Sequence, residues 1–241
     1  MIKPEGLGSD LCQIQDEVFA STEGDAWFHR NREHLNELVP HGPDTVVDML
    51  GRLPADWLQG ISTVCDVGCS NGWRLAGLGK LLSGRARLSG FDASQAAVAA
   101  GKSRFADANV ELRQGLVDSP PFSTRFDLVV VSFVLHWVDR RRLTRAIAGI
   151  DDLVDEDGLL VISDFLPGQP GARVYHHRTD VEMYTYKQDY VRTFVATGLY
   201  RVLALATFPH DAPDRAPDKA ADQERAVCAI LHRSKDAYPC V

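Results

Sequence analysis

Residues 63–73 read Thr63-Val64-Cys65-Asp66-Val67-Gly68-Cys69-Ser70-Asn71-Gly72-Trp73. The first five form a short run with β-branched residues, the pattern of a buried strand. Gly68 and Gly72 then bound a tight turn, and residues 73–82 read as a helix. A glycine turn between a strand and a helix is a place where backbone amides meet a ligand. A dinucleotide fingerprint needs glycines at positions zero, two and five. Here the fifth position after Gly68 is Trp73, too large for close helix packing, and Asp66 would face a pyrophosphate. The same string also fits the Gly-x-Ser-x-Gly turn of a serine nucleophile, with His210 or His232 as its histidine. That turn normally follows several earlier strands, whereas the 60 residues upstream read as helical.

Outward from the turn, strands and helices alternate. Arg87–Phe91 is a second strand ending at Asp92, and Ser94 is placed to cap an alanine-rich helix over 95–107. Residues 109–113 form a third strand. Phe126–Phe133 is the strongest strand signal in the chain. A helix is expected over 139–153 and a strand over 159–163 after the Asp157-Gly158 turn. Such alternation predicts an α/β, doubly wound, mostly parallel sheet covered on both faces. Two apolar runs, 202–208 and 226–231, pair as a C-terminal antiparallel hairpin, and Pro209–Gln223 between them is a loop. Residues 164–180 read as a polar loop and 181–197 as a tyrosine-bearing helix. Residues 1–60 read as a helical N-terminal extension, which divides the chain into a cap (1–60) and a catalytic unit (61–241).

In order and spacing, residues 62–164 resemble the class I S-adenosylmethionine-dependent methyltransferases. Asp66, Gly68, Ser70 and Gly72 resemble their first motif, with serine for the middle glycine. Asp92, at the second strand's end, resembles the acid that accepts both ribose hydroxyls. Gln114–Phe122 resembles the segment after the third strand, with Leu116 where the family usually has the aspartate that meets the adenine amino group. Phe126–Trp137 resembles the fourth-strand motif. The resemblance implies a Rossmann-like seven-stranded sheet and S-adenosylmethionine as cofactor. It implies cofactor contacts from Asp66, Gly68, Ser70, Gly72, Asp92 and Ala93. Leu116 and Val117, or Asp118 in place of the missing acid, would meet the base, and Ser132 and Phe133 the methyl end. The ligand has no phosphate and carries a sulfonium and an ammonium, so Asp66 becomes favourable.

Transfer to a hydroxyl or amine needs a proton acceptor. His136, His176 and His177 are the candidate catalytic residues. The loop after the fifth strand contributes Tyr175 and Arg178, which together with Trp27, Arg30 and Trp137 form the candidate acceptor site. Residues 23–31 are expected to close over the cofactor as a lid. They also loosely resemble methylases of bacterial surface sugars. The expected acceptor is a small molecule, a sugar or a secondary metabolite, methylated at oxygen or nitrogen. A serine hydrolase and a non-catalytic cofactor-binding regulator are the competing classes.

Composition bounds the partners. The 241 residues include 45% apolar and 24% charged positions, enough for a substantial core. Twenty-six basic against 33 acidic residues leave a net charge of −7, which disfavours nucleic acid and anionic membrane. No apolar run approaches the roughly 20 residues of a membrane span, and the first residues lack a signal-peptide core. Five cysteines without a Cys-x-x-Cys pair or Cys/His cluster point away from a metal site and toward reduced thiols. The expectation is a cytoplasmic monomer or homodimer.

Overall fold

The structure is a computed structural model that describes residues 15, 18–41, 44–106, 108–178, 180–211 and 222–238. A single π-helical turn, Phe19–Glu23, runs into α1 (Gly24–His41), followed by α2 (Thr45–Leu50) and α3 (Ala55–Gly60). Asp44 starts α2 by accepting the Val46 and Val47 amides at 2.8 and 3.1 Å. The alternating unit follows: β1 (Thr63–Val67), α4 (Trp73–Leu81), β2 (Arg87–Asp92), α5 (Gln95–Arg104) and β3 (Val110–Gln114). Then come β4 (Phe126–Ser132), α6 (Leu143–Leu153) and β5 (Val154–Phe165). The chain ends with β6 (Gly171–Val174), β7 (Tyr184–Lys187), α7 (Tyr190–Val195), β8 (Tyr200–Pro209) and β9 (Arg225–Arg233).

The main sheet has seven strands in the order β3-β2-β1-β4-β5-β9-β8. β1 to β5 pair in parallel, while β9 runs antiparallel to both β5 and β8. The expected C-terminal hairpin is therefore present, with its second strand inserted beside β5. Alternation along β4 explains the two layers of core. Leu128 and Val130 join α2 and α4 residues such as Leu50, Leu75 and Leu78 on one face. Val129 and Val131 join Ile150 and Leu153 of α6 and Phe194 of α7 on the other. Each such fully buried side chain contributes about 1.5–3 kcal/mol of transfer free energy. Because α2 enters the sheet's core, part of the N-terminal extension packs as an integral layer of the unit it precedes.

Some expectations need correction. The helix placed over 139–153 begins at Leu143. The supposed loop over 164–180 contains β6, and the supposed helix over 181–197 splits into β7 and the six-residue α7. Tyr184 and Tyr186 alternate on an extended strand that pairs with Val174 and Ala172. Asp189 then caps α7 by accepting the Arg192 amide at 2.9 Å. Most of the Pro209–Gln223 loop lies outside the described residues. Among the described residues, no helix is long and apolar enough to cross a membrane, and no cluster of metal-ligating side chains occurs.

Candidate active site

The strand order reverses between β1 and β4, and a crevice opens there beyond the strands' carboxyl ends, where open α/β sheets bind ligands. The turn after β1 is held by its own backbone. The Gly68 and Cys69 amides both donate to the Phe91 carbonyl, at 2.8 and 3.0 Å. Gly68 sits at φ +68°, and a Cβ there would lie 2.2 Å from Val134 Cγ2. Gly72 begins α4 at φ +73°. Between them Ser70 adopts φ +50°, a left-handed conformation that glycine holds more easily.

Asp92 ties this turn to the next helix. One carboxylate oxygen accepts the Ser70 amide and the other the Ser94 amide, both at 2.8 Å. Burial raises the Asp92 pKa, and these two amides oppose it. Asp66 is fully buried beneath the turn. Burial pushes its pKa up to about 6 against the pull of Arg74, whose Nη1 lies 3.5 Å from Asp66 Oδ1. Asp66 Oδ2 and Ser70 Oγ are buried without a hydrogen-bond partner. Arg74 also binds Asp44 at 2.9 Å and donates to Ser132 Oγ at 3.1 Å. One guanidinium among Asp44, Asp66 and Asp92 leaves surplus negative charge, which suits a cationic ligand without phosphate.

These groups border a cavity of about 320 Å³. Its floor includes Gly68, Ser70, Asp92 and Ala93, and one side carries Leu116 and Val117. Asp118, beside them, accepts from Arg142 at 2.9 Å. Ser132 and Phe133, at the exit of β4, also reach the cavity, and Phe133 holds a left-handed φ of +56°. Phe19 and Trp27 from the N-terminal segment roof it. The roof is fastened by Asp25, which accepts the Ser94 hydroxyl at 2.6 Å and the Ala96 amide at 3.0 Å. Burial works against the ionised Asp25, yet these two bonds hold its pKa below the usual value.

The structure brings ten of the expected site residues to the cavity: Gly68, Ser70, Asp92 and Ala93; Leu116, Val117, Ser132 and Phe133; Trp27 and Trp137. Asp66 lies beneath the turn, and Gly72 starts the helix. The others lie elsewhere. Arg30 pairs with buried Glu23 and donates to the Tyr175 hydroxyl at 2.6 Å. Tyr175 donates to the same Glu23 at 2.8 Å. Arg178 binds Asp180 at 2.7 Å and approaches Glu23 at 3.8 Å. His176 and His177 stack together beside Tyr175, with ring centroids 4.0 Å apart. This cluster joins the N-terminal segment to the β6–β7 ribbon behind Trp137, whose ring packs edge-on to Tyr175 at 4.9 Å. His136 is buried and paired with Asp164, Nδ1 to Oδ1 at 3.0 Å, and lies outside the cavity wall. Ser70 Oγ has no histidine partner among the described residues, and His232 pairs with Asp157, so the hydrolase arrangement is not assembled.

Several cavity residues escaped the sequence reading in this role, Arg74 and His210 among them. Arg74 carried only the helical spacing of α4. His210 was considered only as a hydrolase base, yet it lines the cavity next to Phe133, with ring centroids 4.7 Å apart.

A family model described as a methyltransferase domain matches residues 64–158, the segment that builds this turn and both strand ends. No curated protein matches the chain. Among solved structures, the fold is similar to the 1,6-didemethyltoxoflavin-N1-methyltransferase of Burkholderia thailandensis, solved with 1,6-didemethyltoxoflavin and S-adenosylhomocysteine. There the TM-score is 0.65 at 14% identity, over 98% of this chain and 94% of that one. It is also similar to magnesium protoporphyrin IX methyltransferase of Synechocystis with bound cofactor, at TM-score 0.59, 18% identity, and 95% and 100% coverage. A third is an S-adenosylmethionine-dependent methyltransferase of Clostridium acetobutylicum, at TM-score 0.57, 10% identity, and 86% and 99% coverage. The domain match falls on the segment that carries the turn, Asp92 and the exit of β4, and the fold around it is similar to that of these enzymes. Residues 64–158 thus match a methyltransferase domain, and the chain's fold is similar to that of S-adenosylmethionine-dependent methyltransferases.

Proposed function

We propose that the enzyme methylates a small molecule, at oxygen or nitrogen, inside the cavity between the glycine turn and the N-terminal segment. The observation that carries this reading is the cavity itself, about 320 Å³, concave and roofed by Phe19 and Trp27. Such a chamber suits a small ligand better than a polymer. The Burkholderia relative is named for methylating a small ring compound, which supports the same acceptor class. The net charge of −7 adds no attraction for nucleic acid.

In this reading Asp92 accepts the ribose hydroxyls with the lone pairs that the Ser70 and Ser94 amides leave over. Leu116 and Val117 grip the base by apolar contact and backbone, in place of the acidic partner. Gly68, Ser70 and Gly72 bring backbone close to the amino-acid end, and Asp66 supplies negative charge beneath it. When bound, the cofactor supplies a methyl group already activated on a cationic sulfur. The protein's work is then to align the acceptor and exclude water. Ser132 and Phe133 border the reacting end, and Trp27 and Trp137 wall the acceptor. Within the cap expected over residues 1–60, the segment from Phe19 into α1 covers the cavity of the unit 61–241, and the Glu23 cluster holds it against the β6–β7 ribbon. Arg30, Tyr175 and Arg178 thereby act on the acceptor through the cap.

The test measures release of S-adenosylhomocysteine from the full chain. One panel holds small hydroxyl and amine compounds, and a second holds tRNA, DNA and protein. Turnover with members of the first panel is expected. Turnover with the macromolecules alone would contradict the reading.

A further inference from the structure

We infer that His210 is the general base of the transfer and that the acceptor is a neutral aromatic hydroxyl compound, an assignment that rests on the methyltransferase reading above. His210 follows directly on β8, and its amide is fixed by the Glu224 carbonyl at 2.8 Å. Its ring packs edge-on to Phe133 at 4.7 Å and against Phe165 at 4.8 Å. Phe133 lies at the exit of β4 and lines the same cavity, so the imidazole stands beside the end of the chamber where transfer is placed. The other candidate histidines are elsewhere: His136 is buried on Asp164, and His176 and His177 stack outside the wall.

The surroundings of His210 set its protonation. His136 faces it from the segment after β4, Lys187 from β7, Asp164 from β5 and Glu224 from the turn before β9. The side chain keeps solvent access, but desolvation beside the aromatic rings comes first, and His136 and Lys187 add to it, so the pKa is lowered despite the two carboxylates. The lowered pKa favours the neutral ring, the form that can accept a proton.

The acceptor's character follows from the wall. Phe19, Trp27, Phe133 and Trp137 present aromatic surface to the cavity, which favours a planar ring. Among the described residues, Arg30 and Arg178 are committed to Glu23 and Asp180, Arg74 and Arg142 to Asp44 and Asp118, and Lys187 to Glu224, so none of these cations is dedicated to an anionic acceptor. A neutral ring nitrogen attacks with its own lone pair and needs no base, whereas a hydroxyl oxygen gains from losing its proton. In the step, the acceptor oxygen forms its bond to the methyl carbon as the carbon–sulfur bond breaks. The breaking pair stays on sulfur, the hydroxyl proton passes to neutral His210, and the imidazolium returns it to solvent.

The experiment compares phenol with 4-nitrophenol, which is largely ionised near pH 8, in wild type and His210→Gln, with methyl ethers quantified by mass spectrometry. Wild type is expected to methylate both. H210Q should lower kcat/KM for phenol about 100-fold, and for 4-nitrophenol by less than about fivefold, because the ionised acceptor needs no base. Equal losses on both, or no loss on phenol, would overturn the base assignment. A wild type that methylates neither while binding S-adenosylhomocysteine by calorimetry would overturn the acceptor class. Failure to bind S-adenosylhomocysteine would instead overturn the underlying methyltransferase reading. Independently of turnover, NMR titration of the wild-type His210 ring should give a midpoint below the free imidazole value of about 6.5. A midpoint above it would overturn the proposal.

Discussion

At Asp66 and Ser70, polar atoms are buried without hydrogen bonds, an arrangement that costs stability unless a ligand answers it. Asp66 gives this a pH signature. Burial raises its folded pKa from 3.8 to about 6, despite Arg74. Ionisation is thus disfavoured in the folded state, and its contribution to stability is lost as pH rises from about 4 to about 6. A cationic ligand favours the ionised form. Affinity for S-adenosylmethionine is therefore expected to rise roughly tenfold between pH 5 and 7, and Asp66→Asn should flatten the profile. Calorimetry across that range checks both, and an unaltered slope in the variant would remove Asp66 from the account. Ser70→Ala deletes a hydroxyl that bonds to nothing, so transfer should change less than about threefold. A loss beyond about 100-fold would return the serine-nucleophile reading to contention. The position of Asp92 at a strand end beside the glycine turn was legible in the sequence, and the structure places it on the cavity, bonded to the Ser70 and Ser94 amides. His210 was not assigned this role, since no local pattern places it beside Phe133. Only the return of β8 along β9, with the segment carrying Glu224, brings residue 210 to the exit of β4.

Among the elements, α5 and the start of α1 share one joint. Ser94 caps α5 through the Ala97 amide at 3.0 Å, while Asp25 accepts the Ser94 hydroxyl and the Ala96 amide. The N-terminal segment is thus tied to the helix that follows Asp92. Asp25→Ala should cost about 1 kcal/mol in urea unfolding. It should also speed hydrogen exchange in residues 24–35 more than in β4. Equal protection would mean that the joint does not hold the cap. β1 and β4 were readable because each is a largely apolar run, buried on both faces. The β6–β7 ribbon was missed because β6 is exposed throughout and carries no apolar alternation. Its tyrosines allowed helical and extended readings alike, and pairing with β6 decided between them.

Across the whole molecule, the sheet holds the turn, Asp92 and the exit of β4 at one edge, and Phe19 and Trp27 of the N-terminal segment line the same cavity. The fold class was legible because motifs agreed in order along residues 62–164. The acceptor side was less so, because its walls come from distant stretches: Phe19 and Trp27 from the roof, Trp137 from the β4 exit and His210 from the C-terminal strands. Arg30, Tyr175 and Arg178 looked like substrate groups in the sequence. In the folded chain they surround Glu23, which is 0% exposed, and so join the cap to the ribbon. The central claim is that a cofactor with a ribose diol and a cationic end fills this cavity. The most direct measurement is calorimetric titration of the full chain with S-adenosylhomocysteine and S-adenosylmethionine, with NAD as control and Asp92→Ala as variant. The account predicts micromolar binding of the first two, none of NAD, and a loss of about 10–100-fold in the variant, the worth of hydrogen bonds to a charged group. Absence of binding to folded, ligand-free protein, or equal affinity in Asp92→Ala, would contradict it.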